Sequence, residues 1–217
     1  MATTIQTTGA RAVDASAVKV LRNTYALLAM TLLFSAVTAA VAMAMEVPYL
    51  GLWTLLPYFV LLFLVEKNKN SASGLLWVFA LTGWLGFTLG PILNHYVGVS
   101  GFAPVLTALG GTALIFMGLS AYVLTTRRDF GFATGFLMTG ILVAFVAAIA
   151  NYFLQIAALS LVVSCMFLFL SSGIILWQTS QIVHGGERNY ISATVTLYVM
   201  IYNLFATLLQ LVGLADD

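Results

Sequence analysis

Seven stretches of this chain run for 17 to 25 residues without a charged side chain: Tyr25 to Met45, Tyr49 to Val65, Leu75 to Leu93, Phe102 to Leu124, Phe132 to Tyr152, Leu154 to Gln178 and Ile191 to Leu214. In hydrocarbon the backbone N–H and C=O groups find no water, so apolar segments of that length are stable only as helices that bond internally while crossing a bilayer. A closed barrel would need short segments of alternating polarity, and none is present. Composition agrees: 62% of residues are hydrophobic and 7% charged, with a mean hydropathy of +1.05, which excludes a water-soluble globule. The predicted fold is an all-α, seven-transmembrane-helix bundle. The division between the fifth and sixth helices rests on length, because only the uncharged NYFLQIAA, Asn151 to Ala158, separates them. A single helix from Phe132 to Gln178 would reach about 70 Å, far beyond a core of about 30 Å.

The fifteen charged side chains fall outside these stretches. Arg11, Lys19 and Arg22 precede the first, Lys67 and Lys69 follow the second, Arg127 and Arg128 follow the fourth, and Arg188 follows the sixth. An odd number of crossings puts every Lys and Arg on one side and leaves Glu46, Asp216 and Asp217 on the other. The positive-inside rule then predicts a cytoplasmic N-terminus and a C-terminus outside.

Residues 1–20, MATTIQTTGARAVDASAVKV, lack the apolar core and cleavage site of a signal peptide. They read as a flexible cytoplasmic tail ahead of a single membrane domain, residues 21–217, because they hold too few large apolar groups to offset the entropy of ordering them. Such a tail is either a handle for a partner or an ordinary loose terminus.

The helices carry little reactive chemistry. No Asp, Glu, Lys, Arg or His lies inside the seven stretches; His95 and His184 fall where the third and sixth helices exit. Neither has a second His, Cys or carboxylate at ligand spacing, so no metal site and no cofactor is expected. Intramembrane proteolysis by paired carboxylates, by two His with a Glu, or by a serine with a base has no candidate set. The chain is not expected to be an enzyme or to bind nucleic acid. Cys165 stands alone and reads as a small buried apolar residue.

What the helices do carry is polar stripes. On the seventh, Thr196, Asn203, Thr207 and Gln210 fall with Met200 within about 80° of arc at 100° per residue. Ser164, Ser171 and Gln178 form a line on the sixth, and Thr24, Thr31, Ser35 and Thr38 one on the first. Lipid cannot satisfy these groups, so they are expected to face a bundle interior, as interhelical hydrogen bonds or around a narrow wet cavity. On the third helix, Gly83, Gly86 and Gly90 share a face that lets another backbone approach, and Pro91 removes a donor; Gly110 and Gly111 on the fourth read as the counterpart. Gly185 and Gly186 read as the stop of the sixth.

These segments in order, KVLRNTY from Lys19, TLGPILN from Thr88, ALGGTALIF from Ala108, SSGIILWQTSQIVHGGERNYI from Ser171 and ATVTLYVMIYNLF from Ala193, resemble the Bax inhibitor-1 family over nearly the whole chain. The resemblance implies a multi-pass protein of the bacterial inner membrane, with a periplasmic C-terminus. Calcium-leak members have a pH-sensing carboxylate pair on the sixth and seventh helices; their motifs put Gln178 and Met200 at those positions, so the pair is missing here. The bacterial members most like this chain modulate FtsH, a membrane AAA protease, as inhibitors and substrates. The resemblance therefore implies FtsH and its associated membrane proteins as partners, engaged through the tail and the helices, with a calcium leak as the alternative.

Overall fold

In a computed structural model the backbone of residues 15–215 and the side chains of residues 16–213 are described. Among these residues the chain forms seven α-helices and no strand: α1 Ala15–Ala44, α2 Leu55–Asn68, α3 Ser73–Ser100, α4 Ala103–Thr126, α5 Thr134–Leu154, α6 Ala157–Val183 and α7 Tyr190–Ala215. Six segments are long and apolar enough to cross a membrane. The exception is α2, whose 14 residues extend only about 21 Å. It starts late because Pro48 and the positive φ of Gly51 break the helical path. A 3-10 turn, Gly51–Thr54, then leads into it, and residues 51–68 together extend about 29 Å. Trp84 of α3 donates from Nε1 to the Thr54 carbonyl at 3.2 Å, holding that junction.

Two boundaries differ from the sequence reading. Helix α1 begins at Ala15, ten residues before Tyr25, so Lys19 and Arg22 lie on it. Its 30 residues extend about 45 Å, leaving the first turns room to project beyond the hydrocarbon. Of the expected tail, residues 1–14 lie outside the described residues and residues 15–20 are helical. Helix α3 runs through Pro91 to Ser100, so His95 is within it.

Helices α5 and α6 part at Gln155, which is left-handed at φ 53°. Its N–H reaches the Asn151 carbonyl at 2.8 Å, and Asn151 Oδ1 accepts the Ile156 N–H at 3.2 Å. After α6, Gly185 takes a positive φ, and the Gly186 N–H returns to the Gln181 carbonyl at 2.8 Å, ending the helix in the usual glycine manner.

The most extensive helix contact is that of α1 with α3, and glycine sets it. A Cβ at Gly86 would stand 2.3 Å from the Ser35 carbonyl oxygen, and one at Gly90 would stand 2.4 Å from Ala42 Cβ. The expected counterpart on α4 is not the partner: Gly110 has nothing within 4 Å of its Cβ position, and Gly111 meets Leu208 of α7. The physical reason is that lipid accepts a small residue as readily as a helix does, so a Gly pair alone does not specify an interface. Cys165 is likewise exposed, not buried.

The glycine seam gives a direct expectation. Gly86→Ala puts a methyl into backbone of α1 and lowers stability by about 1–3 kcal/mol, whereas Gly110→Ala raises it by up to about 1 kcal/mol through helix propensity; thermal midpoints in detergent check both.

Candidate functional site

Helix α7 is enclosed on every side: no residue from 190 to 213 is exposed, and it packs against α1, α2, α3, α4 and α6. Its polar groups therefore bond to neighbouring helices. Tyr198, 1% exposed, donates from Oη to the Thr82 carbonyl of α3 at 3.1 Å. A carbonyl only accepts, so the tyrosine's single proton is committed there. Ser35 Oγ of α1, 2.5 Å away, must then donate to Tyr198. Thr88 spends its proton on the Leu85 carbonyl at 2.8 Å, so Tyr202 Oη, 3.4 Å from Thr88 Oγ1, is the donor of that weaker contact.

The expected stripes meet α7 at two more levels. Gln210 Oε1 accepts from Ser164 Oγ at 2.9 Å while its Nε2 donates to Ser160 Oγ at 2.8 Å. Thr194 Oγ1 lies 2.7 Å from the Tyr190 carbonyl and 3.3 Å from the Thr24 carbonyl of α1. Thr207 is buried and Thr196 half-buried. Asn203 and Met200 line a cavity of about 580 Å³ whose wall includes Tyr58, Trp84, Thr88 and Phe145. Gln178 and Met200 are both buried, at 2% and 7% exposure. Met200 lines that cavity and Gln178 does not; Gln178 Nε2 has no hydrogen-bond partner. Ser171 Oγ on the same line is also unpartnered.

All seven described Lys and Arg residues collect at one end of the bundle. The Lys69 carbonyl accepts from Asn189 Nδ2 at 2.9 Å, tying the α2–α3 loop to the α6–α7 loop. Asn189 Oδ1 accepts the Ile191 and Ser192 N–H groups at 2.9 and 3.2 Å and so caps α7. Ser180 Oγ lies 3.0 Å from the Phe130 N–H and 3.2 Å from the Arg128 carbonyl, holding the α4–α5 loop to α6. His184 belongs to the same lock: Nδ1 is 2.9 Å from the Ser180 carbonyl and Nε2 is 3.1 Å from the Arg127 carbonyl. A neutral imidazole has one N–H, so it donates to one of these two carbonyls at a time, and among the described residues no three His, Cys, Asp or Glu are placed to hold a metal. The Glu66 hydrogen bond pushes the Lys69 ammonium above its ordinary value, although an exposed pair of this kind contributes little stability. At the opposite end Glu46 is the one charged residue among those described, and Asn94 Nδ2 there donates to the Met43 carbonyl at 3.0 Å.

Sequence reasoning missed Tyr198, Tyr202, Thr194, Ser180 and Asn189. Two tyrosines four apart in TLYVMIYN were a readable signal, because a phenol inside a membrane bundle needs a partner. Removing one is measurable: Tyr198→Phe leaves Ser35 without its acceptor and costs about 1–3 kcal/mol, while Tyr202→Phe, losing a longer contact, costs less, as unfolding in a detergent series will show.

Comparison with known proteins covers nearly the whole chain. The family model described as inhibitor of apoptosis-promoting Bax1 matches residues 17–217. The chain is similar to an uncharacterised protein of Pseudomonas aeruginosa, 53% identical over 202 residues and 91% of each chain. It is also similar to the modulator of FtsH protease YccA of Escherichia coli K12, 51% identical over 199 residues and 91% of each chain. A protein of Escherichia coli O6:H1 named inner membrane protein YccA matches to the same extent, 51% over 199 residues and 91% of each chain.

Proposed function

The chain belongs to the Bax inhibitor-1 family, and we propose that within it this multi-pass protein of the bacterial inner membrane is a modulator of the FtsH protease. The observation that carries this reading is its similarity, over most of both chains, to the Escherichia coli protein that bears that name. The gathering of all described Lys and Arg at the end where α1 begins favours a cytoplasmic N-terminus. With a second crossing made by residues 51–68, seven crossings put the C-terminus in the periplasm. Residues 1–14 then lie on the side from which a membrane-anchored AAA protease acts. The tail is the segment the protease grips, and the helices hold the protein beside it. The lock among Asn189, Ser180 and His184 keeps the cytoplasmic loops close to the bundle, which leaves the tail as the segment offered to the protease.

Deleting residues 2–14 tests this and leaves α1 whole. The expected result is a several-fold longer half-life of the protein in cells and recovered degradation of a second FtsH substrate when the deletion form replaces the full chain. Unchanged turnover of both contradicts the proposal.

A cation leak is the second reading, favoured by the cavity beside Met200 and Asn203. A leak gated by acid needs a titrating pair, and an amide and a thioether supply none. The purified chain in liposomes is expected to show no pH-dependent calcium flux, and Gln178→Asp with Met200→Asp tests whether the pair restores it. Flux from the unmodified protein would transfer the assignment to the leak.

A further inference from the structure

Helix α5 stands apart from the bundle. Among the described residues its one extensive contact with another α-helix is with α6, and none of that extent joins it to α2 across the gap on its other side. Side chains bridge the gap instead. The Phe59 ring of α2 meets the Phe145 ring of α5 edge-on with centroids 5.7 Å apart, and the Tyr152 hydroxyl rests against the Gly51 backbone, 3.0 Å from where a Cβ would stand. Behind these rings lies the cavity of about 580 Å³, with α7 at Val199, Met200, Tyr202 and Asn203 forming its inner wall. Phe59 and Leu142 line it and are also exposed on the outer surface of the bundle, so it opens sideways, between α2 and α5, into the hydrocarbon.

Length and chemistry both point to what enters. On α5 the lining runs from Ile141 to Tyr152, about 17 Å along the helix, against the roughly 15 Å that the acyl chains of one leaflet span in a core about 30 Å thick. The wall is graded along that length. Toward the end away from Lys and Arg stand Thr54, Thr88, Asn203 and Tyr152, while Ile141, Leu142, Phe167 and Val199 lie deeper. Thr54 and Thr88 spend their protons on the Gly51 and Leu85 carbonyls at 2.8 Å each. The Asn203 amide makes no hydrogen bond among the described residues and so keeps its donors for a ligand. A water needs two to four polar partners, and besides the Tyr58 hydroxyl the deeper wall is hydrocarbon and aromatic ring. No charged residue lines the cavity, so nothing there recompenses a desolvated ion.

We propose that this cavity is a lipid site. One acyl chain of a bilayer phospholipid, from the periplasmic leaflet in the orientation favoured above, enters between α2 and α5 and lies along α7, with its ester carbonyl accepting from the Asn203 amide. The polar end of the lipid then meets the polar end of the cavity, and the chain meets the apolar depth. Exposed Tyr49 and Trp53 flank the same end, as aromatic side chains do at the level of lipid headgroups. The site does not depend on the reading as a modulator of FtsH, and a chain lodged there fills the space that a leak would use.

Two measurements test it on the full chain in vesicles of phosphatidylethanolamine and phosphatidylglycerol. In the first, a small share of the phosphatidylethanolamine carries a diazirine midway along one acyl chain, and after illumination the adducts are mapped by mass spectrometry. Helix α4, with Leu114 and Met117 exposed, is the reference for ordinary lipid contact. No residue of α7 from 190 to 213 is exposed, so a carbene reaches α7 only on a chain that has entered. Adducts at residues 199–203 are expected. Ala148→Trp, which sets an indole into the cavity wall, should reduce them several-fold and leave those on α4 unchanged. Labelled α4 with unlabelled α7, or α7 labelling that Ala148→Trp leaves intact, overturns the proposal. In the second, Met200→Cys in a Cys165→Ala background meets a membrane-impermeant maleimide from both sides. A chain-filled cavity gives no reaction until the protein is denatured, and reaction in the intact vesicle refutes the lipid site in favour of a wet one. If Ala148→Trp does not assemble, the wild-type adduct map and the maleimide reaction decide.

Discussion

The Tyr198 hydroxyl fixes the arrangement on which the rest of this bundle depends. In hydrocarbon, apolar contact does not distinguish a neighbouring helix from a lipid tail, so association relies on close packing and hydrogen bonds. One phenol, receiving from Ser35 and donating to Thr82, joins α1, α3 and α7 at a single level. The glycines of α3 make this possible, because only the absence of a Cβ at Gly86 lets the Ser35 backbone come so near. Close packing and hydrogen bonding are here one interaction. Gln210 with Ser160 and Ser164 repeats the principle between α6 and α7.

Much of the architecture was legible in the sequence because lipid imposes a length. Charge-free runs gave seven helices, and the same length argument separated α5 from α6 where no charge marks the boundary. The early start of α1 was not legible, since residues 15–24 are too polar to span yet extend a helix already begun. The shortness of α2 came from a glycine with positive φ, which composition does not reveal. The partners of the small residues were harder still. Gly83, Gly86 and Gly90 were recognisable as a packing face, but that α1 covers them, and that Gly110 and Cys165 face outward, depends on three-dimensional placement. In a soluble protein an outward face turns polar and betrays itself; in a bilayer it stays as apolar as the core.

The candidate site was legible in outline. The stripes on α1, α6 and α7 do contain residues that bond across helices, among them Ser35, Ser164 and Gln210. Their tyrosine and backbone partners were not legible, because any one of several neighbouring helices could have supplied them. Gln178 and Met200 are both buried in the interior, where neither can change charge. An amide and a thioether at these two positions give the bundle no titrating pair there.

The bond between Ser35 and Tyr198 also has a consequence for biogenesis. The chain enters the membrane from its N-terminus, and α1 and α3 can close on their glycine seam long before the last helix is made. The buried face they share is then left with Ser35 lacking its acceptor, and no side chain of α2 takes its place in the finished bundle. Only when α7 arrives does Tyr198 occupy that level and bind both helices at once. Completion of synthesis is thereby written into the packing: a chain that stops short of its last helix displays an unsatisfied polar seam inside the bilayer, a mark by which an unfinished protein differs chemically from a finished one.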